Sequence, residues 1–305
     1  MKKIAFIIHQ KAKERNALQQ KIQNLFSEDK ISIDITQYQA HSTVLAQSAI
    51  QKGFEYIVCA GGDGSINETV NGILQAKKEL SKEAQDKIRL AVLPLGTGND
   101  FIKTIQSPSD IEGLKKSIEQ DKNRLIDLGL ATFNNSKGER QQRWFINITD
   151  IGMGGIVVEK LSRYSKWLGA NLTYQRAIAS TLLTFKPVAI QARADDYVFE
   201  GKVMNFVVAN GKYFGSGLGI APSADPSDGQ LSIVILGDIS IFDYIQNLGK
   251  IKACTPINHP RLIYRKAKNI SVQSIQKLPI DMDGEFIGYS PLEINLIEKA
   301  LNVIV

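Results

Sequence analysis

Two short apolar runs, Tyr56-Ile57-Val58-Cys59 and Leu90-Ala91-Val92-Leu93, each break into a glycine-rich turn. The first turn reads Gly61-Gly62-Asp63-Gly64-Ser65 and the second Pro94-Leu95-Gly96-Thr97-Gly98-Asn99-Asp100. Apolar runs of this length read as strands buried on both faces, and helical spacing follows the first from Ile66 to Leu74. Glycine has no Cβ, so its backbone N–H groups can turn inward and approach a ligand closely. The helix that follows adds unpaired donors and a partial positive charge, which together favour a phosphate. Asp63 is foreign to a pure anion cradle and points to a Mg²⁺ partner or a base. Glycine is common in ordinary βα turns. Two such turns at strand carboxyl ends, carrying Asp63, Thr97, Asn99 and Asp100, instead mark the place where an open α/β sheet binds its ligand.

Around these turns the first part of the chain alternates strand and helix. Ile4–Ile8 is apolar throughout, helical spacing runs through Leu18, Ile22 and Phe26, and Ile31, Ile33 and Ile35 alternate. A helix is predicted over His41–Gln51, another over 66–77, a strand over 88–93 and a helix over 109–120. This βαβα rhythm predicts a mostly parallel sheet with crossover helices over residues 1–127. From residue 128 the texture changes to short strand-like runs: Trp144–Thr149, Val188–Ala194, Val198–Ala209, Leu231–Leu236, Ile270–Val272 and Ile280–Met282. Helices interrupt them near 156–168, 173–186 and 241–252. The expected fold class is α/β plus β, with a three-layer α/β nucleotide-binding domain followed by an antiparallel sandwich or open barrel over 128–292.

With 305 residues and 43% hydrophobic content, the chain is long enough for two globular domains. The net charge of +6 suits an anionic nucleotide or an anionic membrane surface. No basic run interleaved with aromatics points to nucleic acid. Cys59 and Cys254 read as two buried free thiols, and neither they nor His9, His41 and His259 have zinc-ligand spacing. The N-terminal apolar run is too short for a signal peptide, and no run approaches the length of a membrane span. The expected location is cytoplasmic and, for a lipid substrate, peripheral to the membrane. Neither Gly-x4-Gly-Lys-Ser/Thr nor Gly-x-Gly-x-x-Gly is present, so phosphate binding falls to the two turns.

The segments Gly61–Asn67 and Leu93-Pro-Leu-Gly-Thr-Gly-Asn-Asp100 resemble the catalytic domain of diacylglycerol-kinase-type lipid kinases, within the superfamily that includes NAD kinases and phosphofructokinases. Ile220–Gln230 and Asp281-Met-Asp283-Gly284-Glu285 are similar to the bacterial branch in order and spacing, so the resemblance spans nearly the whole chain. It implies ATP as phosphoryl donor with Mg²⁺, a lipid hydroxyl as acceptor, and a transient membrane-surface contact. A homodimer stays open. It implies nucleotide contacts from Thr36, Gly61, Gly62, Asp63, Gly64, Ser65, Ile66, Asn67, Gly96, Thr97, Gly98 and Asn99. It implies a structural Mg²⁺ at Asp225, Asp228 and the carbonyl of Gln230, away from the reacting phosphate. It further implies Glu285 as proton acceptor, with Asp63 as the Mg–ATP anchor or the alternative base, and a return of 293–305 to the first domain.

Each candidate also has a structural reading. Thr36 at a strand end, Glu68 near a helix start and Lys11 after the first strand can all be ordinary surface or capping residues. Asp-Pro-Ser-Asp-Gly is a good turn without any metal. Asp283-Gly284 is an ordinary hairpin signal. Gly152-Met153-Gly154-Gly155 and Gly215–Gly219 either let the backbone approach an acyl groove or simply bend strands. The stripe Val157, Leu161, Tyr164 and Leu168, edged by Lys160, Arg163 and Trp167, is a membrane-docking or a core-facing helix. Two other functional classes remain: a NAD-kinase-like enzyme with a soluble acceptor, and a nucleotide-binding regulator without turnover.

Overall fold

A computed structural model describes residues 1–163 and 170–305. The chain divides into two compact units, Met1–Ile126 with Lys299–Val305, and Asp127–Glu298.

The first unit runs β1 (Lys3–Ile8), α1 (Arg15–Leu25), β2 (Lys30–Ile35), α2 (His41–Gln51), β3 (Tyr56–Gly61), α3 (Asp63–Lys77), α4 (Lys82–Lys87), β4 (Arg89–Pro94), α5 (Asp100–Ile105) and α6 (Ile111–Glu119). The strands pair in parallel in the order β2-β1-β3-β4. Ile4, Phe6, Ile8, Val58 and Ala60 meet Ile22 of α1, Phe26 just after it, and Ile111, Leu114 and Ile118 of α6 in one core. β1 and β3 are buried along both faces, as their unbroken apolar runs require, and α2 and α3 also pack against them. β2 is only half-buried, because it is the edge strand.

Two short helices, α4 and α5, were not expected. α4 is six residues long and follows Ser81, whose hydroxyl caps the Ala84 N–H. α3 starts at Asp63, three residues before its apolar periodicity begins, so Gly64 and Ser65 belong to a helical first turn. Their low helix propensity hid that turn from the sequence pattern.

The second unit begins within β5 (Asn123–Asn134) and continues through β6 (Arg140–Phe145), β7 (Ile148–Gly152), α7 (Met153–Arg163), α8 (Ala170–Thr184), β8 (Val188–Ala194), β9 (Tyr197–Val203) and β10 (Asn205–Ala209). There follow β11 (Tyr213–Phe214), β12 (Leu218–Gly219), β13 (Leu231–Leu236), α9 (Ile241–Lys252), β14 (Leu262–Ala267), β15 (Asn269–Gln273), β16 (Pro279–Met282) and β17 (Glu285–Ile304). The registers within this unit are antiparallel, giving the paths β14-β13-β10-β7-β16-β17 and β17-β15-β8-β9. Inward residues of both paths, among them Ile151, Phe206, Ile233, Ile190, Val272 and Ile294, share one core, so the unit is sandwich-like.

β17 is 20 residues long and crosses from one unit to the other. Its last part pairs in parallel with β4, Asn302 opposite Arg89 and Val303 opposite Leu90. Leu301, Val303 and Ile304 are fully buried there. The Lys77 ammonium donates to the Ala300 carbonyl, and the Ser107 hydroxyl donates to that of Ile304. Cys59 is buried, whereas Cys254 is only half-buried, and both thiols are free.

Candidate active site

In the first unit the two glycine turns interlock. β3 and β4 are adjacent, with Gly61 opposite Pro94, so both turns leave the same edge of the sheet. A Cβ placed on Gly96 would lie 2.5 Å from the Gly62 Cα and 2.9 Å from Asn99 Oδ1. Real Cβ contacts do not come that close, so glycine here is demanded by the neighbouring turn.

Asp63 closes the junction. Its Oδ1 accepts the N–H of Asp100 at 3.0 Å and that of Phe101 at 3.2 Å, and its Oδ2 also lies 3.2 Å from the Asp100 nitrogen. A side chain of the first turn therefore caps the helix that follows the second. The two turns are not equivalent in consequence. The first-turn amides of α3 have no carbonyl within their helix to reach, while the leading amides of α5 are held by Asp63. Burial, and next the negative charge of Asp100, push the Asp63 carboxyl above its ordinary range, against the two amides that favour the anion.

The rest of the rim is polar. Asn99 sits in the left-handed region at φ 50°, its amide donating to the Gly96 carbonyl at 2.9 Å. Its Oδ1 is buried without a hydrogen-bond partner among the described residues. Thr97 is exposed between Gly96 and Gly98. Lys103, which sequence reasoning missed, donates to the Gly98 carbonyl at 2.8 Å and pairs with Asp100 at 3.2 Å, adding positive charge to the second turn. The signal was its position three residues after Asp100, one helical turn on. Asn67 is fully buried, and the Asn71 amide lies within hydrogen-bond reach of its carbonyl and Oδ1. Thr36 is buried, and its hydroxyl oxygen accepts the Gln10 N–H at 3.0 Å. Glu68 caps a different helix, α2, by accepting the N–H groups of Ala40 at 2.7 Å and Ser42 at 3.3 Å. The Lys11 N–H donates to His9 Nδ1 at 3.2 Å, and burial followed by the Lys11 charge lowers the His9 pKa.

In the second unit, Asp283-Gly284 is the two-residue loop between β16 and β17. Both residues have positive φ, 49° and 84°, as a type I′ hairpin requires. The Asp283 carboxylate accepts the N–H groups of Ile146, Asn147 and Ile148 at 3.0, 3.1 and 2.9 Å. Asp281 Oδ1 accepts the Gly284 N–H at 2.9 Å. Glu285 is thus held on a braced turn, and its Oε2 pairs with the Arg143 guanidinium at 2.8 Å. Behind the turn, Asp281 faces Asp150 across β16 and β7. Burial pushes the Asp150 carboxyl up to about 7, and burial with the charges of Asp150 and Asp283 raises Asp281 well above the usual carboxylate range. Sequence reasoning did not find Asp150.

Asp225, Asp228 and Gln230 share one exposed turn. Asp225 Oδ1 accepts the Ser227 N–H, Asp228 Oδ1 accepts the Gln230 N–H, and Asp228 Oδ2 pairs with the Lys266 ammonium. Buried Asp127 fastens the turn by accepting the Gly229 N–H at 2.8 Å. The donors are all oxygen, which suits a hard cation, although the Lys266 ammonium holds Asp228 Oδ2 in this arrangement. No group of three or more His, Cys, Asp or Glu side chains placed to hold a metal ion occurs among the described residues.

In the other glycine clusters, three positions lie against close neighbours. A Cβ on Gly154 would strike the Asp150 carboxylate at 2.2 Å, one on Gly155 the Pro279 carbonyl oxygen at 2.3 Å, and one on Gly219 the Cys254 side chain at 2.5 Å. In α7, Val157 and Leu161 pack into an apolar cluster, and Lys160 donates to the Thr181 hydroxyl. Tyr164, Trp167 and Leu168 lie outside the described residues. Among those described, no helix is long and apolar enough to cross a membrane.

With this geometry in place, comparison with known proteins identifies the family. Residues 3–131 match the diacylglycerol kinase catalytic domain. Residues 149–305 match the YegS C-terminal NAD kinase beta sandwich-like domain. The chain belongs to the diacylglycerol kinase-like family. Among its relatives, a diacylglycerol kinase of Staphylococcus haemolyticus is 27% identical over 269 residues, 88% of this chain and 76% of that protein. The diacylglycerol kinase of Staphylococcus carnosus is 26% identical, covering 84% of this chain and 78% of that protein. The solved structure of a diacylglycerol kinase from Bacillus anthracis str. Sterne matches with a TM-score of 0.70 at 21% identity, covering 99% of this chain and 96% of that one. Yeast NADH kinase, at TM-score 0.51 and 9% identity, covers 99% of this chain and 82% of its own. Both structures speak to the fold alone, which is NAD kinase-like.

Proposed function

We propose that this chain transfers the γ-phosphate of ATP to a hydroxyl of diacylglycerol or a closely related lipid. The observation that carries the reading is the interlock of Gly62 with Gly96, closed by Asp63, in a member of the diacylglycerol kinase-like family. Phosphoryl transfer demands positioning and charge neutralisation more than covalent chemistry. The first unit is the ATP-binding domain. The first-turn amides of α3 and the backbone of Gly96, Thr97 and Gly98 hold the phosphates, with Thr36, Ser65, Ile66, Asn67 and Asn99 completing the nucleotide contacts. Asp63 accepts its two amides and keeps lone-pair capacity, so it both fixes the second turn and anchors the metal–nucleotide complex.

The second unit is the lipid-substrate domain. Glu285 takes the proton from the lipid hydroxyl as that oxygen attacks the γ-phosphate. Its pairing with Arg143 fixes the orientation of the carboxylate before the acceptor arrives. Asp225, Asp228 and the Gln230 carbonyl would hold a structural Mg²⁺, which would supply charge balance for the two carboxylates of the turn.

ATP consumption, measured with detergent-dispersed diacylglycerol, ceramide, sphingosine and phosphatidylglycerol and with NAD, tests the assignment. Turnover with diacylglycerol is expected. Turnover with NAD alone would overturn the lipid reading, and ATP binding with silence on every acceptor would favour a regulator. Glu285→Gln is expected to abolish turnover and leave ATP affinity nearly intact; unchanged turnover removes Glu285 from the mechanism.

A further inference from the structure

Helix α9 is apolar on two sides. Its inner side carries Tyr244, Leu248 and Ile251, which pack with Val157 of α7 and Ala177 and Ile178 of α8. Its outer side carries Phe242, 70% exposed, and Ile245, 62% exposed. Helical offsets of three and four residues continue that outer strip through Gly249 to Lys252, and Lys250 is exposed beside it. A surface helix of a globular unit needs one apolar stripe, and the inner side already supplies it.

Two further observations mark the outer strip. No heavy atom lies within 4 Å of a Cβ built on Gly249, so packing does not require glycine there. Asp243, the acid of the helix, is engaged in a capping box with Ser240 and lies 3.6 Å from His259. The strip therefore presents Phe242 and Ile245 with Gln246 between them and Gly249, then Lys252 at its end and Lys250 on its edge. Leu183, 71% exposed, stands near the end of α8, next to Leu182 of the same inner cluster.

We propose that the outer strip of α9 is a membrane-docking surface, with Phe242 and Ile245 entering the acyl region of an anionic bilayer and Lys250 and Lys252 meeting its headgroup phosphates. Size and charge together choose this occupant. Two protruding side chains are far short of the roughly 1,200 Å² that a stable protein interface buries. Shallow insertion of a few apolar groups with adjoining cations is sufficient for reversible interfacial binding. The proposal rests on the lipid-kinase reading, because an acceptor that stays in a bilayer has to be met there.

The test is co-sedimentation of the full chain with phosphatidylcholine vesicles, with and without phosphatidylglycerol, beside turnover on vesicle-borne diacylglycerol and on a water-soluble short-chain diacylglycerol. Phe242→Ser with Ile245→Ser is expected to weaken vesicle binding about tenfold or more. Lys250→Glu with Lys252→Glu should abolish the preference for phosphatidylglycerol. Both double variants should keep short-chain turnover within about twofold, since all four side chains are exposed. Vesicle binding equal to wild type in the apolar variant overturns the proposal. So does a wild-type dimer that this variant converts to monomer with vesicle binding unchanged. A wild type that binds vesicles through this strip but phosphorylates no diacylglycerol would sink the kinase reading and leave the docking surface standing.

Discussion

Gly96 cannot be replaced without moving Gly62, because the added carbon would sit 2.5 Å from the facing Cα. Gly96→Ala is expected to lower stability by about 1–3 kcal/mol, as overpacking does. It should weaken ATP binding more than an equally destabilising change elsewhere; denaturant melts and nucleotide titrations compare the two. Asp150 gives a second prediction, in the pH dependence of stability. Folding raises its pKa from 3.8 to about 7 as one member of a pair with Asp281, whose pKa is raised as well, so the folded chain keeps protons that the unfolded chain releases. Its contribution is fully present below pH 3.8 and is lost as pH climbs towards 7. Asp150→Asn should flatten that slope and be the more stable protein at about pH 8, as unfolding curves across the pH range would reveal. The glycines could be read from the sequence because their type and spacing are unusual. The Gly62–Gly96 contact and the Asp150–Asp281 pairing could not, since strand register alone creates them.

Two helix starts in this protein are capped from a distance. Asp63 serves α5 and Glu68 serves α2, whose own N-cap positions, Asn99 and Ala40, make no side-chain cap. Removing the second cap with Glu68→Ala should cost about 0.5–2 kcal/mol in urea unfolding, and an unchanged midpoint would deny it the role. This explains which elements the sequence revealed. α2, α3 and the buried strands carry their own periodicity. α5 has only six residues and starts inside the glycine motif on a borrowed cap, so no local pattern announces it. Similarly, Thr36 and Glu68 stood out by residue type, but only the packing separates a bond to the Gln10 N–H from a cap on α2.

At the scale of the whole molecule, the change from βαβα rhythm to short strands made the α/β and β-sandwich classes legible, because strands buried on both faces and strands buried on one differ in pattern. The path of β17 was not visible that way, as its closing pairs with β4 depend on partners far away in sequence. Deleting Leu301–Val305 removes three fully buried side chains from the first unit, Leu301, Val303 and Ile304. At about 1.5–3 kcal/mol for each such side chain, the truncated chain should show a lowered melting point and lose ATP binding; retention of both would mean the strand end is dispensable.

That closing strand also sets a timetable for synthesis. The first 126 residues leave the ribosome before the second unit, yet their sheet is completed only by residues 299–305. At cellular translation speeds the intervening stretch takes roughly 10–30 s. Throughout that interval the outer side of β4 is an open template for any passing strand. A nascent chain of this protein should therefore depend on chaperone cover until its final residues arrive.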